Sequence, residues 1–123
     1  MIQINSKADL NRAVANALHP EPPEHGIYGK TVWKWKTDDR FGHWEPADFC
    51  GDPVASKLLR DWMRADGFKF DQRDRFDGTV TAWFRELGRC GNATHTNEQI
   101  ATAIAAIRAL NVEFELVAGW DAK

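Results

Sequence analysis

The apolar residues of this chain switch repeatedly between helical spacing and strict alternation, and the order of the switches limits the fold more than any single motif does. Leu10, Ala13, Val14, Ala17 and Leu18 come first, at three- and four-residue steps, as on one face of an α-helix. Ser6 is a good N-cap and Asp9 follows three positions on, close to a capping box, so a first helix is predicted over residues 7–18. His19-Pro20-Glu21-Pro22-Pro23-Glu24-His25-Gly26 stops it in a rigid loop, since proline lacks the backbone donor and restricts the residue before it. Residues 31–36 then alternate, with Trp33 and Trp35 on one face and Val32, Lys34 and Lys36 on the other, as in a strand. Residues 37–42 read as a turn and 43–49 as the returning strand, with Pro46 predicting an edge or irregular position.

Asp52-Pro53 restarts the helical pattern, an N-cap followed by proline at the first helical position. Val54, Ala55, Leu58, Leu59, Trp62 and Met63 form its apolar stripe and Gly67 its stop, predicting a second helix over residues 53–66. Residues 68–73 alternate with Phe68 and Phe70 on one face. Asp77-Gly78 is a favoured two-residue hairpin turn, and residues 79–87 return with Thr79, Thr81, Trp83 and Arg85 opposite Val80, Ala82 and Phe84. Residues 88–92 are expected to form a mobile loop. Thr96 is predicted to cap a third helix, with Gln99 completing a capping box. Ile100, Ala103, Ile104, Ile107 and Leu110 face inward, and Ala101, Ala105 and Ala106 form a small flank. Residues 112–117 alternate as a last strand, followed by a tail in which Trp120 is expected to fold back. The order α-β-β-α-β-β-α-β predicts an α+β fold, an antiparallel sheet with three helices packed on it. The 123 residues suit a single domain over 1–123, large enough to fold alone.

Hydrophobic residues at 43% and charged residues at 28% match a globular domain and argue against disorder. No apolar run nears the roughly 20 residues of a membrane helix, and the first residues lack the pattern of a signal peptide, so a cytoplasmic location and no membrane partner are expected. Sixteen Lys and Arg against eighteen Asp and Glu give a net charge of −2. Duplex nucleic acid is therefore not an expected partner, although a local cationic pocket for a small anion stays open. Cys50 and Cys90 are expected to be free thiols. His19, His25, His43 and His95 lack metal-ligand spacing, and no nucleophile elbow or P-loop is present. No cofactor is expected. Asp71, Asp74 and Asp77 could assemble a carboxylate pair for hydrolysis, but Arg73 and Arg75 lie between them, the pattern of a solvated surface.

Leu10-Asn11-Arg12-Ala13-Val14-Ala15, the amphipathic helix ending at Trp62 and Gly67, and Ala82-Trp83-Phe84 recur in a known setting. So does Ala93-Thr94-His95-Thr96 running into Ala103-Ile104-Ala105-Ala106-Ile107-Arg108-Ala109-Leu110. Together they resemble the phage ABA sandwich domain family, small proteins of phages and prophages, over about two-thirds of the chain. The third helix of that family often opens on Thr-Pro and carries a cysteine before its alanines; Asn97 and Thr102 or Ala103 stand near those places here. The resemblance implies an α/β sandwich, a viral origin and a host-cell cytoplasmic location. It transfers no chemistry, because the family has no assigned activity. Small accessory phage proteins often counter bacterial defence, by blocking effector complexes or by sequestering nucleotide immune signals.

Two features offer binding chemistry. Trp33-Lys34-Trp35-Lys36 combines aromatic faces with ammonium groups, though alternation points the lysines away from the tryptophans, which would otherwise be core residues. Arg73, Arg75, Arg85 and Arg89 surround the second hairpin and suit phosphate groups. Arg85 shares a face with Thr81 and Trp83, and backbone donors near His95 and Thr96 could add an anion site. The expected ligand-binding residues are Trp83, Arg85, Arg89, Thr81, Arg73, Trp33 and His95. The expected function is non-catalytic inhibition of anti-phage defence by sequestering a small nucleotide signal, in a homo-oligomer. The alternative is a blocker that binds a host defence protein directly, and the third reading is a small nucleotide hydrolase.

Overall fold

The computed structural model describes residues 1–18, 32–37 and 41–123, without the side chain of Trp35. The predicted proline-rich loop, residue 31 of the predicted first strand and most of the turn after Thr37 lie outside the described residues, as do His19 and His25. Among the described residues the elements run β1 (Ile2–Ile4), α1 (Lys7–Leu18), β2 (Trp33–Thr37), β3 (Gly42–Pro46), α2 (Pro53–Ala65), β4 (Lys69–Asp74), β5 (Val80–Glu86), β6 (Arg89–His95), α3 (Glu98–Ala109) and β7 (Phe114–Leu116). A 3₁₀ turn, Trp120–Ala122, follows. This is the expected α+β class, but in place of the single antiparallel sheet expected the strands form three sheets: β4-β5-β6 antiparallel, β2-β3 antiparallel, and β1 parallel to β7.

The helix starts follow from side-chain caps. Ser6 Oγ accepts the Asp9 N–H at 3.2 Å, and Asp52 Oδ1 accepts the Val54 N–H at 2.9 Å, ahead of Pro53. Helix α3 is capped by Asn97 rather than Thr96. Its Oδ1 accepts from Gln99 and Ile100 at 2.9 and 3.1 Å, while Asn97 N–H donates to His95 Nδ1 at 2.9 Å.

Helix α3 is the centre of the molecule. Every residue from Ile100 to Ile107 is buried, as a helix apolar on all sides requires, so the alanines predicted as a flank are core as well. It packs directly on β5 and β6, while α1 and α2 pack on α3. Gly91 makes the close approach possible: a Cβ there would lie 2.2 Å from Ala109 N and 2.3 Å from Ala105 O. The expected mobile loop at 88–92 is thus corrected: Gly88 belongs to a tight turn and residues 89–92 to a strand, β6, held on the central helix. On α2 only part of the predicted stripe is core. Ala55, Leu59 and Met63 are buried, but Val54 is 67% and Trp62 38% exposed.

The second hairpin also turns differently. Asp74 pairs with Val80, Arg75 and Thr79 close the loop through Arg75 N–H to Thr79 O at 2.8 Å, and only Gly78 takes positive φ, 84°. This is a three-residue Phe76-Asp77-Gly78 loop with a left-handed glycine. The two-residue turn falls instead at Leu87-Gly88, between paired Glu86 and Arg89. The carboxy-terminal tail folds back as expected, burying Trp120 6.0 Å from the His95 ring. No helix among the described residues is long and apolar enough to cross a membrane.

Candidate functional site

Strand parity divides the β4-β5-β6 sheet into two unlike faces. The face toward α3 carries Phe84, paired with Phe70 and Gly91, and Ala82, paired with Gln72 and Ala93. Phe84 and Ala82 are fully buried. The other face is a three-by-three array. Across the strands its rows are Lys69, Arg85 and Cys90; Asp71, Trp83 and Asn92; and Arg73, Thr81 and Thr94. Lys69, Arg73, Arg85, Cys90, Asn92 and Thr94 are exposed, so this face meets solvent with the half-buried Trp83 at its centre.

Asp71 organises the cations around Trp83. Its Oδ1 accepts the Gln72 N–H at 2.9 Å, and its Oδ2 lies 3.7 Å from Arg85 Nη2 and 4.0 Å from Arg73 Nε. Arg73 Cζ stands 5.8 Å from the centre of the Trp83 ring, a cation–π distance. Exposed ion pairs of this length contribute only about 0–1 kcal/mol, so a stronger anion can compete for both guanidinium groups. Beneath them Thr81 is buried, its Oγ1 2.7 Å from that of Thr94. Arg73, Thr81 and Trp83 also line a groove of about 540 Å³ that runs to Arg75, Phe76 and Asp77 at the hairpin tip.

The predicted site residues therefore separate. Trp83, Arg85, Thr81 and Arg73 come together on one face. Arg89 does not: the turn at Leu87-Gly88 pairs it with Glu86, on the parity of the core-side residues. There its guanidinium lies 4.6 Å from the centre of the Phe68 ring, 3.3 Å from Asp66 Oδ2 and hydrogen-bonded to Glu86, whose carboxyl it holds below the ordinary range. His95 is likewise on the α3 side. Since Nδ1 accepts from Asn97, Nε2 carries the proton and donates to Asp121 Oδ2 at 2.8 Å. The expected anion site at this helix start is occupied by these bonds and the Asn97 cap. Trp33 is 1% exposed and belongs to the core, while Lys34 and Lys36 face solvent; the Trp35 ring lies outside the described residues. Lys69, Asn92, Thr94 and Phe76 were missed by sequence reasoning. The alternation of Cys90, Asn92 and Thr94 with the small Gly91 and Ala93 was the available signal for the edge strand.

The three carboxylates suspected of hydrolysis do not converge. Asp71 is set between two arginines, and Asp74 falls by register on the opposite face from it. Asp77 Oδ1 accepts from Thr79 Oγ1 and N at 2.6 and 3.0 Å, bonds that hold its carboxyl below the ordinary range. Among the described residues no group of three or more His, Cys, Asp or Glu is placed to hold a metal ion. Both cysteines are free; burial, helped by Asp48, pushes the Cys50 thiol up to about 12.

A larger groove, about 710 Å³, lies between α1 and the β2-β3 hairpin. Many of its polar groups are already committed to the fold. Asp48 Oδ1 accepts from Asn11 and Gly51, Asp52 caps α2, and Asp9 accepts from Asn5. The Trp83 face combines an aromatic ring with cations held only by weak exposed pairs, and it is the stronger candidate. Comparison of the chain with protein-family models, curated proteins and solved structures finds no match.

Proposed function

We propose that this protein is a non-catalytic binding module that captures a small nucleotide on the outer face of its three-stranded sheet. The observation that carries the reading is the array itself: an aromatic ring at the centre of an open sheet, with Arg73, Arg85 and Lys69 around it and one carboxylate between the arginines. A base would stack on Trp83, displacing the Arg73 guanidinium now over the ring, and the freed arginine would join Arg85 on the phosphate. Stacking of a base on an aromatic side chain is worth about 1–3 kcal/mol, and bidentate guanidinium–phosphate bonds add orientation. With Asp71 paired and Asp77 committed to Thr79, the nucleotide is held intact in this reading. In the phage accessory role that the sequence resemblance implies, such a module would keep a nucleotide signal from host defence. The outer edges of β4 and β6, unpaired with other strands among the described residues, leave room for the oligomer in this proposal.

A second reading, docking on a host defence protein, is favoured by one observation, the exposure of Val54 and Trp62 on α2. The two readings separate in a thermal-shift series with AMP, ADP, ADP-ribose and cyclic di- and trinucleotides, followed by recovery of the compound. A ligand at about 100 times its Kd adds roughly 2.7 kcal/mol of stability. A shift from one compound recovered unchanged, weakened at least tenfold in affinity by Trp83→Ala and by Arg85→Ala, is the expected result. No shift from any compound would refute capture of these nucleotides, and conversion of the compound would refute the non-catalytic reading.

A further inference from the structure

We infer that the outer edge of β4 is a dimer interface, on which β4 of a second copy of this chain adds antiparallel to make one continuous sheet. The inference rests on the oligomer of the reading above and not on its ligand. Strand parity identifies the main-chain groups that face outward. At the hairpin tip Arg75 N–H donates to Thr79 O and Gly78 N–H donates to Arg75 O. Arg75 thus turns its main chain toward β5, and Lys69, Asp71 and Arg73 share its parity. Phe70, Gln72 and Asp74 therefore point their N–H and C=O groups outward, where no other strand takes them among the described residues. Gln72 N–H is held there by its neighbour, donating to Asp71 Oδ1 at 2.9 Å. The β6 edge is obstructed instead. Asn92 O faces outward and accepts from Arg108 Nη1 at 2.8 Å, an arginine of the overlying α3.

An open edge is a template for pairing with another chain, and the charges of β4 select one register. When the two-fold axis passes between two Gln72 residues, Asp71 falls opposite Arg73 of the second copy, and Arg73 opposite its Asp71, on the outer face. Asp71 Oδ2 is 4.0 Å from its own Arg73 Nε and 3.7 Å from Arg85 Nη2, exposed pairs weak enough to be exchanged. On the face toward α3, Asp74 falls opposite Phe70 of the second copy, where Arg60 holds its guanidinium 5.5 Å from the ring centre. Neither Arg60 nor Asp74 has an ion-pair partner among the described residues, so each supplies what the other lacks. Only Lys69 and Arg75, at the strand ends, are set against like charge. An axis at Asp71 would oppose Asp71 to itself and Lys69 to Arg73, an axis at Arg73 would oppose Arg73 to itself, and an axis at Phe70 would leave Arg73 and Asp74 beyond the partner strand. The pairing closes on itself as a two-fold dimer. Its axis runs through the sheet, so the two Trp83 faces lie side by side.

Sedimentation equilibrium of the full chain without nucleotide reads the dimer Kd, and circular dichroism reads folding. Asp71→Arg opposes like charges twice in each dimer and is expected to weaken Kd by roughly tenfold or more, as is Arg73→Asp. The double variant Asp71→Arg/Arg73→Asp rebuilds both pairs with the charges exchanged and is expected to recover the dimer. Gln72→Pro removes an outward N–H that the β4-β5 ladder does not use and is expected to give a folded monomer. A wild-type protein that stays monomeric at every concentration overturns the oligomer and this interface together. A dimer that the folded single variants leave unchanged, or that a folded double variant fails to recover, overturns the β4 interface and leaves the oligomer standing.

Discussion

Replacing Gly91 with alanine tests the placement of the central helix. The new methyl carbon would lie 2.2 Å from Ala109 N and 2.3 Å from Ala105 O, against the 3.4 Å at which ordinary contact begins. Both obstacles are backbone atoms, so no rotamer change relieves the clash, and β6 and α3 must separate by about 1 Å. Helix α3 is buried from Ile100 to Ile107, so that movement loosens the packing of the sheet, α1 and α2 together. Overpacking a well-filled core costs about 1–3 kcal/mol and occasionally more, and a methyl group driven against backbone belongs at the upper end, about 3 kcal/mol. At roughly 4 °C per kcal/mol for a domain of this size, Tm falls by about 12 °C. Urea unfolding followed by tryptophan fluorescence gives the free energy directly, and thermal melts by circular dichroism give Tm. Gly78→Ala is the control: it meets nothing within 4 Å and loses only through its positive φ, 84°, about 1–2 kcal/mol. A loss below about 0.5 kcal/mol in Gly91→Ala would refute the close approach of β6 to α3.

Native-state alkylation should modify the exposed Cys90 quickly and leave Cys50, raised to about 12 by burial, unmodified until the protein unfolds; mass spectrometry of the labelled peptides reads the order. Asn97→Ala removes the acceptor for two N–H groups of α3 and should cost about 1 kcal/mol in urea unfolding, whereas Thr96→Ala should cost little. The Asp121 carboxyl is held below its ordinary value of 3.8 by the His95 hydrogen bond. A folded pKa below the unfolded one stabilises the fold above the unfolded value and loses that contribution as pH falls through the folded one. The Tm difference between wild type and Asp121→Asn should therefore narrow as pH drops below 4; a constant difference down to pH 3 would refute the pairing.

Periodicity was enough to place α1, α2, α3 and the two hairpins, because most of each apolar pattern coincides with a surface it buries, Val54 and Trp62 on α2 being exceptions. It failed where a distant partner decides the local structure. Residues 89–95 contain Gly91 and little that is apolar, and they become a strand only because β5 and α3 lie beside them. Ile2–Ile4 is too short to read as a strand without Phe114–Leu116. Thr96 and Asn97 are both adequate caps; the structure uses Asn97, whose N–H is also held by His95. Strand parity placed Thr81, Trp83 and Arg85 on one face, and Asp71 and Arg73 then joined them through the β4 register. Arg89 was misplaced because the two-residue turn at Leu87-Gly88 sets it opposite Glu86. Trp33 stayed ambiguous, since one strand face of tryptophan reads equally as a core and as a platform.

The parallel pairing of β1 with β7 also constrains the order in which the molecule assembles. Ile2 pairs with Phe114 and Ile4 with Leu116, and Lys7 N–H donates to Lys123 O at 3.0 Å. On a ribosome the first strand leaves the tunnel long before its partner is made, and its paired state must wait for nearly every other residue described. Closing a loop of that length costs about 4 kcal/mol in chain entropy before any contact repays it. Six pairing residues do not offset that alone, so the clasp forms after α1 and α3 have already brought its strands together. Until then β1 is an unpaired segment, and its amides should be among the last to gain protection in pulsed hydrogen exchange during refolding.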